Sequence, residues 1–251
     1  MIQDLTETKS LPTFCIDFAT AFSLNLYQQN NTQNHGTTVW DSAKLLAFYL
    51  FDSLKRPEFD ISGEIKQKKK CIELGSGCGL GGIMMAALGF DTVVTDLAEV
   101  VERVLTVNSE AAMDNIRDWW YHLDSRTVSD PQLCVEPLDW LKLCERMDGK
   151  NDHYCGWLEP PYHYILAADC IYNIELVVPL LRCIDYLSSH TTVILIAMER
   201  RDDFVVDGFI NKAKSLGFDA KMVVKKILRS KLVENEDVEI WKLKKRRRKR
   251  G

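Results

Sequence analysis

The segment ELGSGCG, at residues 73–79, constrains the fold of this chain more than any other stretch. A short apolar strand, KKKCIELG, leads into it. An apolar helix, LGGIMMAALGF, follows it and ends at Gly89, a residue type common just after helices. The next strand, DTVVTDL, carries Asp96, 21 residues after Gly75. Glycines allow a sharp turn and a close approach of ligand to backbone, and an acid at this place commonly binds ribose hydroxyls. The order strand, loop, helix, strand and acid therefore predicts a nucleotide-type binding site.

Strands and helices alternate along the rest of the chain. VWDSAKLLAFYLFDSL has helical apolar spacing, with a cap expected at Asp41 or a neighbouring threonine and an end at Pro57. A further helix is predicted from Glu99 to Glu110. Strands are predicted in QLCVEPLDW, HYILAADCIY and TTVILIAMER, and an antiparallel pair in AKMVVKKIL and VEIWKL. This alternation predicts an α/β fold with a doubly wound, mostly parallel sheet that is closed by an antiparallel strand.

Several segments between these elements are expected to be irregular. DWWYHLDSRTVSD has a polar, aromatic composition, and LCERMDGKNDHYCGWLEPPY is predicted to be a loop that can include a helical turn. The helix IELVVPLLRCIDYLSS is expected to be interrupted at Pro179. FSLNLYQQN alternates weakly, which indicates a strand or hairpin, and NNTQNHG indicates a turn.

Length and charge suggest one domain with two appendages. The 251 residues divide into an N-terminal extension (1–34), a main domain (35–243) and a basic tail (244–251). Lys242 and residues 244–250 hold eight of the 32 basic residues, so the remaining body has 24 basic against 36 acidic residues. Such a body suits a basic protein segment better than a phosphate backbone. The tail itself is open to three interpretations: a solvated end, a nuclear-import signal or a nucleic-acid contact.

The sequence favours a reducing compartment. It has no signal-peptide pattern and no apolar run near the ~20 residues that span a membrane. None of the eight cysteines forms a C-x-x-C pair and no histidine pair has zinc spacing, so we expect buried thiols and no metal. We therefore expect a cytoplasmic location, with the nucleus as an additional one.

Two motifs compete for the place of the reactive group. Residues 160–162, PPY, resemble the end of the (N/D)-P-P-Y signature of methyltransferases that act on amide or nucleobase nitrogens. Residues 168–172, ADCIY, resemble the D-x-x-Y of another methyltransferase group. PPY precedes the predicted strand 164–167, whereas ADCIY follows it. Ligands of doubly wound sheets lie at the carboxyl ends of strands, so Asp169 and Tyr172 are the candidate catalytic residues. PPY is interpreted as structural.

The form of the glycine loop narrows the choice of ligand. A dinucleotide would place its pyrophosphate on the helix N-terminus, whereas S-adenosylmethionine has no phosphate and carries a cationic amino group. Glu73 precedes the first glycine, where a carboxylate could help to form a pocket for that amine. The E-L-G-x-G-x-G form resembles motif I of class I methyltransferases more than a dehydrogenase fingerprint. A nicotinamide dinucleotide and a purely structural turn remain the alternatives.

Four motifs in order resemble the family 16 seven-β-strand methyltransferases: VWD at 39–41, ELGSG at 73–77, VTDL at 94–97 and ADCIY at 168–172. The resemblance covers about residues 35–245. It implies a Rossmann-like sheet of seven strands with S-adenosylmethionine as cofactor. The implied cofactor-binding residues are Trp40, Glu73, Gly75, Ser76, Gly77, Asp96, Trp140 and Ala168. Trp140 departs from the family pattern because Leu141 follows it where glycine is usual.

The resemblance also implies the reaction. This family includes protein-lysine methyltransferases, so the expected activity is methyl transfer to an exposed lysine of a protein substrate by a monomer. Small-molecule or RNA methylation on the same fold remains an alternative, as does a non-catalytic protein that retains the cofactor. Trp40 and Trp140 could instead be core aromatics, Asp96 a helix N-cap and Asp169 a structural carboxylate. Glu199 and Arg200 are a further candidate pair after the fifth strand. We expect no membrane contact, and no nucleic-acid contact except through the tail.

Overall fold

The chain folds around one large sheet. The computed structural model describes residues 8–29, 35–66, 69–151, 153–223 and 237–247. The strands in this part are β1 Thr13–Ala19, β2 Phe22–Tyr27, β3 Lys70–Leu74, β4 Asp91–Asp96, β5 Leu133–Pro137, β6 Tyr164–Ala168, β7 Val193–Glu199, β8 Phe218–Met222 and β9 Val238–Lys245. The sheet has the order β5-β4-β3-β6-β7-β9-β8. Pairs from β5 to β7 are parallel, and β9 is antiparallel to β7 and β8. The predicted α/β fold, seven-stranded with an antiparallel last strand, is confirmed.

Helices cover both faces of this sheet. They are α1 Asp41–Ser53, α2 Leu80–Ala87, α3 Ala98–Val100, α4 Thr106–Leu123, α5 Trp140–Met147, α6 Ile174–Leu187 and α7 Asp203–Ser215. A π-helical turn, Val101–Leu105, joins α3 to α4. One core cluster contains α1, α2 and α4, and the other contains α5, α6 and α7. Successive strand residues such as Ile165 and Leu166 belong to opposite clusters, as the pleat of a strand requires.

A separate hairpin of β1 and β2 extends the core on the α1 and α4 side. Its burial alternates residue by residue, with Phe14, Ile16 and Phe18 inside on β1. Phe22 of β2 stacks on Trp119 of α4 with ring centroids 4.3 Å apart. FSLNLY, for which a strand or hairpin is predicted, forms β2. The hairpin buries one face against the helices because its apolar residues recur with period two.

The helix after β4 is longer than predicted. It runs to Leu123, whereas the sequence prediction ended it at Glu110 and assigned DWWYHL to an irregular segment; that prediction is wrong. Ile116, Trp119 and Trp120 share one helical face and are buried. Trp120 Nε1 donates to the last carbonyl of α2 at 2.7 Å. The tryptophans are core residues because the hairpin and α2 supply apolar partners that are distant in sequence.

Two further predictions, of a loop after β5 and of a helix interrupted at Pro179, are wrong. The predicted loop after β5 contains the two-turn helix α5, which begins because Asp139 Oδ1 accepts from the Leu141 amide at 2.9 Å. α6 continues through Pro179 as one helix. Asn173 caps it by accepting from the Glu175 amide at 2.9 Å, and packing in the second core cluster holds the helix across the proline.

The start of α1 also differs from prediction. Its N-cap is Trp40, which has no side-chain capping bond, and Asp41 is the first helical residue. The Asp41 carboxylate instead receives the buried Lys44 ammonium at 2.9 Å. A buried charge needs a partner more than the helix needs a cap, which explains the difference.

The PPY segment lies at the entry of β6, as predicted. The Tyr162 amide donates to the carbonyl of Leu187, and the His163 amide donates to Lys70, the first residue of β3. The carboxyl ends of β3 and β6 therefore lie at the opposite edge of the sheet, where Asp169 follows β6. This geometry confirms that PPY cannot be part of a site that contains the glycine loop.

Some of the remaining sequence features lie in the described residues and others lie outside them. The predicted turn NNTQNHG falls mainly on residues 30–34, which lie outside the described residues. Six cysteines are buried, and Cys15 and Cys134 are exposed. No helix in the described ranges has the length and apolar composition needed to cross a membrane. The first two residues of the predicted basic tail, Lys244 and Lys245, belong to β9 and pair with β8, so the boundary predicted at residue 243 is wrong. β9 ends at the sheet edge opposite the glycine loop because it is antiparallel to β7.

Candidate active site

The glycine loop at the end of β3 is packed too closely for any side chain at its first position. Gly75 has φ +63, a left-handed conformation. A Cβ at this position would lie 2.6 Å from Cys170 Sγ and 3.2 Å from Trp140 Cζ2. The predicted turn is therefore required both by backbone conformation and by contact. The same contact brings the ends of β3 and β6 and the start of α5 to one place.

Asp96 connects the loop to the end of β4. Its Oδ2 accepts from the Gly77 amide at 2.8 Å, and its Oδ1 accepts from the Leu97 amide at 2.8 Å. Burial raises the pKa of this carboxyl, although both hydrogen bonds act to lower it. The N-cap of α3 is Leu97, so the alternative role of Asp96 as a helix cap does not apply. Each carboxylate oxygen keeps a lone pair that could accept from a ribose hydroxyl.

Ser76 and Glu73 stabilise the loop from within. Ser76 donates its amide to the Thr95 carbonyl at 2.8 Å and accepts from the Thr95 amide through Oγ at 3.0 Å. Glu73 is only 1% exposed, and its Oε2 accepts from the Gly82 amide in the first turn of α2 at 2.8 Å. Burial raises the pKa of Glu73 to about 7, against the Gly82 and Ser76 hydrogen bonds. The Glu73 carboxyl thus lies beneath the loop, and its effect on a ligand would be indirect.

This arrangement disfavours a dinucleotide. A pyrophosphate needs free amides and the positive end of the helix dipole at the N-terminus of the helix. Here the carboxylates of Asp96 and Glu73 already occupy the amides of Gly77 and Gly82. A ligand without phosphate, such as S-adenosylmethionine, fits the cradle better.

Trp140 begins α5 and borders the loop through its contact with the Gly75 position. It packs on the edge of the second core cluster and is half-buried, so it has both a core face and a site face. Leu141, the departure from the family pattern, points outward and is 53% exposed. The presence of leucine in place of the usual glycine therefore leaves the Trp140 ring beside the glycine loop.

Asp169 follows β6 directly and has a strained backbone. Its φ is +58, and its amide donates to the Ala197 carbonyl of β7 at 2.9 Å. Its side chain is 8% exposed. Burial raises the pKa of the Asp169 carboxyl, and the charge of Arg201 opposes that rise. Non-glycine residues in this conformation are uncommon and cluster at functional sites. This observation favours a functional over a purely structural Asp169.

Tyr172 and Ala168 flank Asp169. Tyr172 is 53% exposed, and burial together with the charges of Cys170, Asp96 and Asp169 raises the pKa of its phenol. Tyr172 follows Asp169 by three residues, so it lies close to the end of β6. Ala168 is the last residue of β6, and its carbonyl accepts from Cys170 Sγ at 3.5 Å. Both residues therefore lie at the sheet edge that carries the glycine loop.

Arg201 is the main site residue that the sequence did not indicate. Its Nη2 donates to Asp169 Oδ2 at 2.8 Å and also contacts the Glu199 carboxylate. Its guanidinium carbon lies 4.7 Å from the centroid of the Trp40 ring. Arg201 therefore contacts both Trp40 and Asp169 and connects the two residues. Of the candidate pair Glu199 and Arg200, only Glu199 lies in this cluster.

Arg200 points elsewhere. It binds Glu239 of β9 at 2.9 Å, Asp203 at 3.0 Å and Asp207 at 2.9 Å. These contacts tie β9 to α7, so Arg200 has a structural role. The sequence offers no signal that separates two adjacent arginines after a strand.

The N-terminal segment closes over the glycine loop. Asn108 of α4 donates to the carbonyls of Cys78 at 3.1 Å and Tyr27 at 3.0 Å, which clamps the end of β2 to the loop. A Cβ on Gly77 would lie 2.9 Å from the Gly36 carbonyl oxygen. Two surface clefts elsewhere contain none of the site residues. The convergence of named side chains, rather than cavity size, therefore defines the candidate site.

Comparison with known proteins agrees with this geometry. The profile of the lysine methyltransferase family matches residues 21–215. The chain belongs to this family. The predicted resemblance is confirmed, and the match begins within the hairpin and ends with α7.

Two relatives and one solved structure illustrate the similarity. The chain is 30% identical over 189 residues to protein-lysine methyltransferase METTL21E of Mus musculus, covering 75% of this chain and 66% of the relative. It is 31% identical over 163 residues to protein N-lysine methyltransferase METTL21A of Xenopus tropicalis, covering 65% and 60%. The chain thus spans less than two thirds of either relative. The putative methyltransferase SMU.776, solved in complex with SAH, has the same fold, with a TM-score of 0.54, 12% identity, and coverage of 94% of this chain and 57% of that one.

Proposed function

We propose that this chain transfers a methyl group from S-adenosylmethionine to a lysine side chain of a protein substrate. Membership of the lysine methyltransferase family supports the proposal. The observation that carries it is the buried carboxylate of Asp169 at the carboxyl end of β6, next to a glycine loop in which carboxylates already occupy the amides of Gly77 and Gly82.

The cofactor would bind across the ends of β3, β4 and β6. Residues 75–77 would line its amino-acid part, Asp96 would accept from its ribose hydroxyls, and Trp140 would pack on its adenine. Ala168 would contact it through the backbone, Trp40 would close the site from α1, and Glu73 would support the loop. When bound, S-adenosylmethionine supplies a methyl group on a cationic sulfonium.

Asp169 would prepare the acceptor. A lysine amine has a pKa near 10.4, so roughly one in 10³–10⁴ is neutral at pH 7, and only the neutral form can attack a methyl group. The buried Asp169 carboxylate would attract the ammonium and accept a hydrogen bond from it, which would orient the nitrogen. Placing the amine near a second cation in a desolvated site lowers its pKa, and its proton can leave to water. Tyr172 would form one wall of the channel.

Arg201 would position Asp169 rather than contact the transferred methyl group. Its ion pair fixes the carboxylate, and its stacking on Trp40 restricts its own position. The acidic body of the chain favours a basic protein surface as partner. We extend the proposal to a monomer that acts in the cytoplasm and, through its basic tail, in the nucleus.

Labelling with tritiated S-adenosylmethionine tests the proposal. The wild-type protein and Asp169→Asn would be incubated with lysate from cells that lack the gene. Asparagine tolerates the left-handed conformation of position 169, so the variant should fold. We expect at least tenfold slower labelling by Asp169→Asn with cofactor affinity within about twofold by calorimetry, and wild-type rates for the exposed control Asp114→Asn.

Full turnover by Asp169→Asn would remove the assigned role of this carboxylate. Cofactor binding without any transfer by the wild-type protein would instead favour a non-catalytic, partner-binding protein.

A further inference from the structure

Three exposed apolar side chains lie near the N-termini of α6 and α7, beside the candidate acceptor site. Phe204 is 74% exposed, Val178 is 43% exposed and Ile174 is 41% exposed. Single exposed apolar residues are normal on soluble proteins, but a contiguous group of them marks a binding surface. We refer to these three residues as the apolar platform.

The platform is contiguous. Ile174 and Val178 are one helical turn apart and share a face of α6. α6 packs against α7, where a Cβ on Gly208 would lie 3.1 Å from Ile174 Cδ1. Phe204 precedes Gly208 by one turn on the same face of α7. Ile174 therefore shares one face of α6 with Val178 and reaches the face of α7 that carries Phe204, where Gly208 leaves room for it.

The platform adjoins the reactive residues. Ile174 follows Asp169 by five residues, and Phe204 follows Arg201 by three. A chain spans at most about 3.5 Å per residue. The Cα of Ile174 therefore lies within roughly 18 Å of that of Asp169, and the Cα of Phe204 lies within roughly 11 Å of that of Arg201. Asp169 and Arg201, from which these two distances are counted, are themselves joined by an ion pair. Tyr172, 53% exposed, lies in the segment that connects Asp169 to Ile174.

The surroundings of the platform are negatively charged. Residues 169–178 and 199–208 contain six acidic and two basic side chains, a net charge of −4. Arg200 is held by three carboxylates and Arg201 by two, so neither is free to attract an anionic partner. The charge complements a basic partner.

We propose that the apolar platform docks the protein substrate through an aromatic or aliphatic side chain near the acceptor lysine, in a segment of net positive charge. The inference rests on the proposed lysine methyltransferase activity and narrows its substrate class. Apolar side chains that become buried at an interface carry much of the energy of protein binding, whereas a free amine offers no such anchor. Substrate choice would then be made outside the reactive site.

The labelling assay with lysate and tritiated S-adenosylmethionine tests this inference with matched variants. Phe204→Ser and Val178→Ser each remove one platform side chain. Leu216→Ser, 42% exposed at the other end of α7, is the control. In dilute lysate, we expect the platform variants to label the wild-type target about tenfold more slowly, with partial recovery in concentrated lysate because KM rises. Leu216→Ser should stay within about twofold, and all variants should bind the cofactor equally by calorimetry.

The outcomes separate the two proposals. Equal rates for Phe204→Ser, Val178→Ser and Leu216→Ser would overturn docking on the platform and leave the methyltransferase proposal intact. A labelled lysine with only polar or acidic neighbours in its sequence and on its surface would overturn it as well. Absence of methyl-lysine with wild-type protein that binds the cofactor would overturn the proposed function, and the docking inference with it.

Discussion

Replacing Gly75 with alanine tests whether the glycine loop is shaped by close packing or by backbone conformation alone. Gly75 has φ +63, and an alanine there carries a left-handed strain of about 1–2 kcal/mol. Its Cβ would also lie 2.6 Å from Cys170 Sγ, a buried contact whose relief costs a further ~1–3 kcal/mol. Gly149→Ala is the matched control, because Gly149 has φ +74 and nothing within 4 Å of its Cβ position.

The two variants should therefore differ in melting temperature. At roughly 2–4 °C per kcal/mol for a chain of this size, Gly149→Ala should lower Tm by about 5 °C and Gly75→Ala by about 10 °C. Scanning calorimetry of the cofactor-free protein measures both. The affinity for S-adenosylmethionine should fall at least tenfold in Gly75→Ala, because the added methyl group displaces the Trp140 ring, and should be unchanged in Gly149→Ala.

A double-mutant cycle identifies the contact. Adding Cys170→Ala to Gly75→Ala removes the opposing sulfur, so the two substitutions should show a coupling free energy of about 1–2 kcal/mol. Equal Tm values and equal cofactor affinities for the two glycine variants, or a coupling near zero, would refute the close packing described for this loop.

Three other predictions follow from the site. Because burial raises the pKa of Glu73 to about 7, the folded chain retains a proton that the unfolded chain loses above about pH 4.5; stability should therefore fall as pH rises from 4.5 to 7. Glu73→Gln should abolish about 3 kcal/mol of this loss, measured by urea unfolding at pH 5 and pH 8, and an identical pH dependence would contradict the assignment. Arg201→Gln should lower kcat about tenfold, whereas Arg200→Gln should lower stability by about 1 kcal/mol with little change in kcat. Paired rate and melting measurements check this, and a loss of kcat in Arg200→Gln but not in Arg201→Gln would contradict the assigned roles. Trp140→Ala should weaken cofactor binding about tenfold in calorimetry, whereas Leu141→Ala should not. Equal affinities of the two variants would show that Trp140 is a core aromatic without a role in cofactor binding.

Features that depend on local sequence were predictable. The glycine loop, its flanking strands and Asp96 occupy 27 consecutive residues from Lys70 to Asp96, and each has its own signal. The choice of ADCIY over PPY required only strand direction. The glycine loop and the ADCIY segment lie at the same edge because parallel strands end at one edge of the sheet, whatever the remaining packing.

Features that depend on distant contacts were not predictable. The last turns of α4 are helical because Trp119 and Trp120 find partners in β2 and α2, which the composition of that segment does not reveal. Arg201 reaches Asp169 across 32 residues, and nothing in the sequence distinguishes it from Arg200. Asn108 likewise clamps two segments that meet only in the folded chain.

Chemical identification of the methylated product tests the central claim most directly. Material labelled by the wild-type protein with tritiated S-adenosylmethionine would be separated into protein, RNA and small molecules, and the protein hydrolysed in acid and resolved by amino-acid chromatography. We predict that the label elutes as Nε-methyl-lysine and that Asp169→Asn removes this peak. Label in RNA, in small molecules or in any amino acid other than lysine would contradict the account.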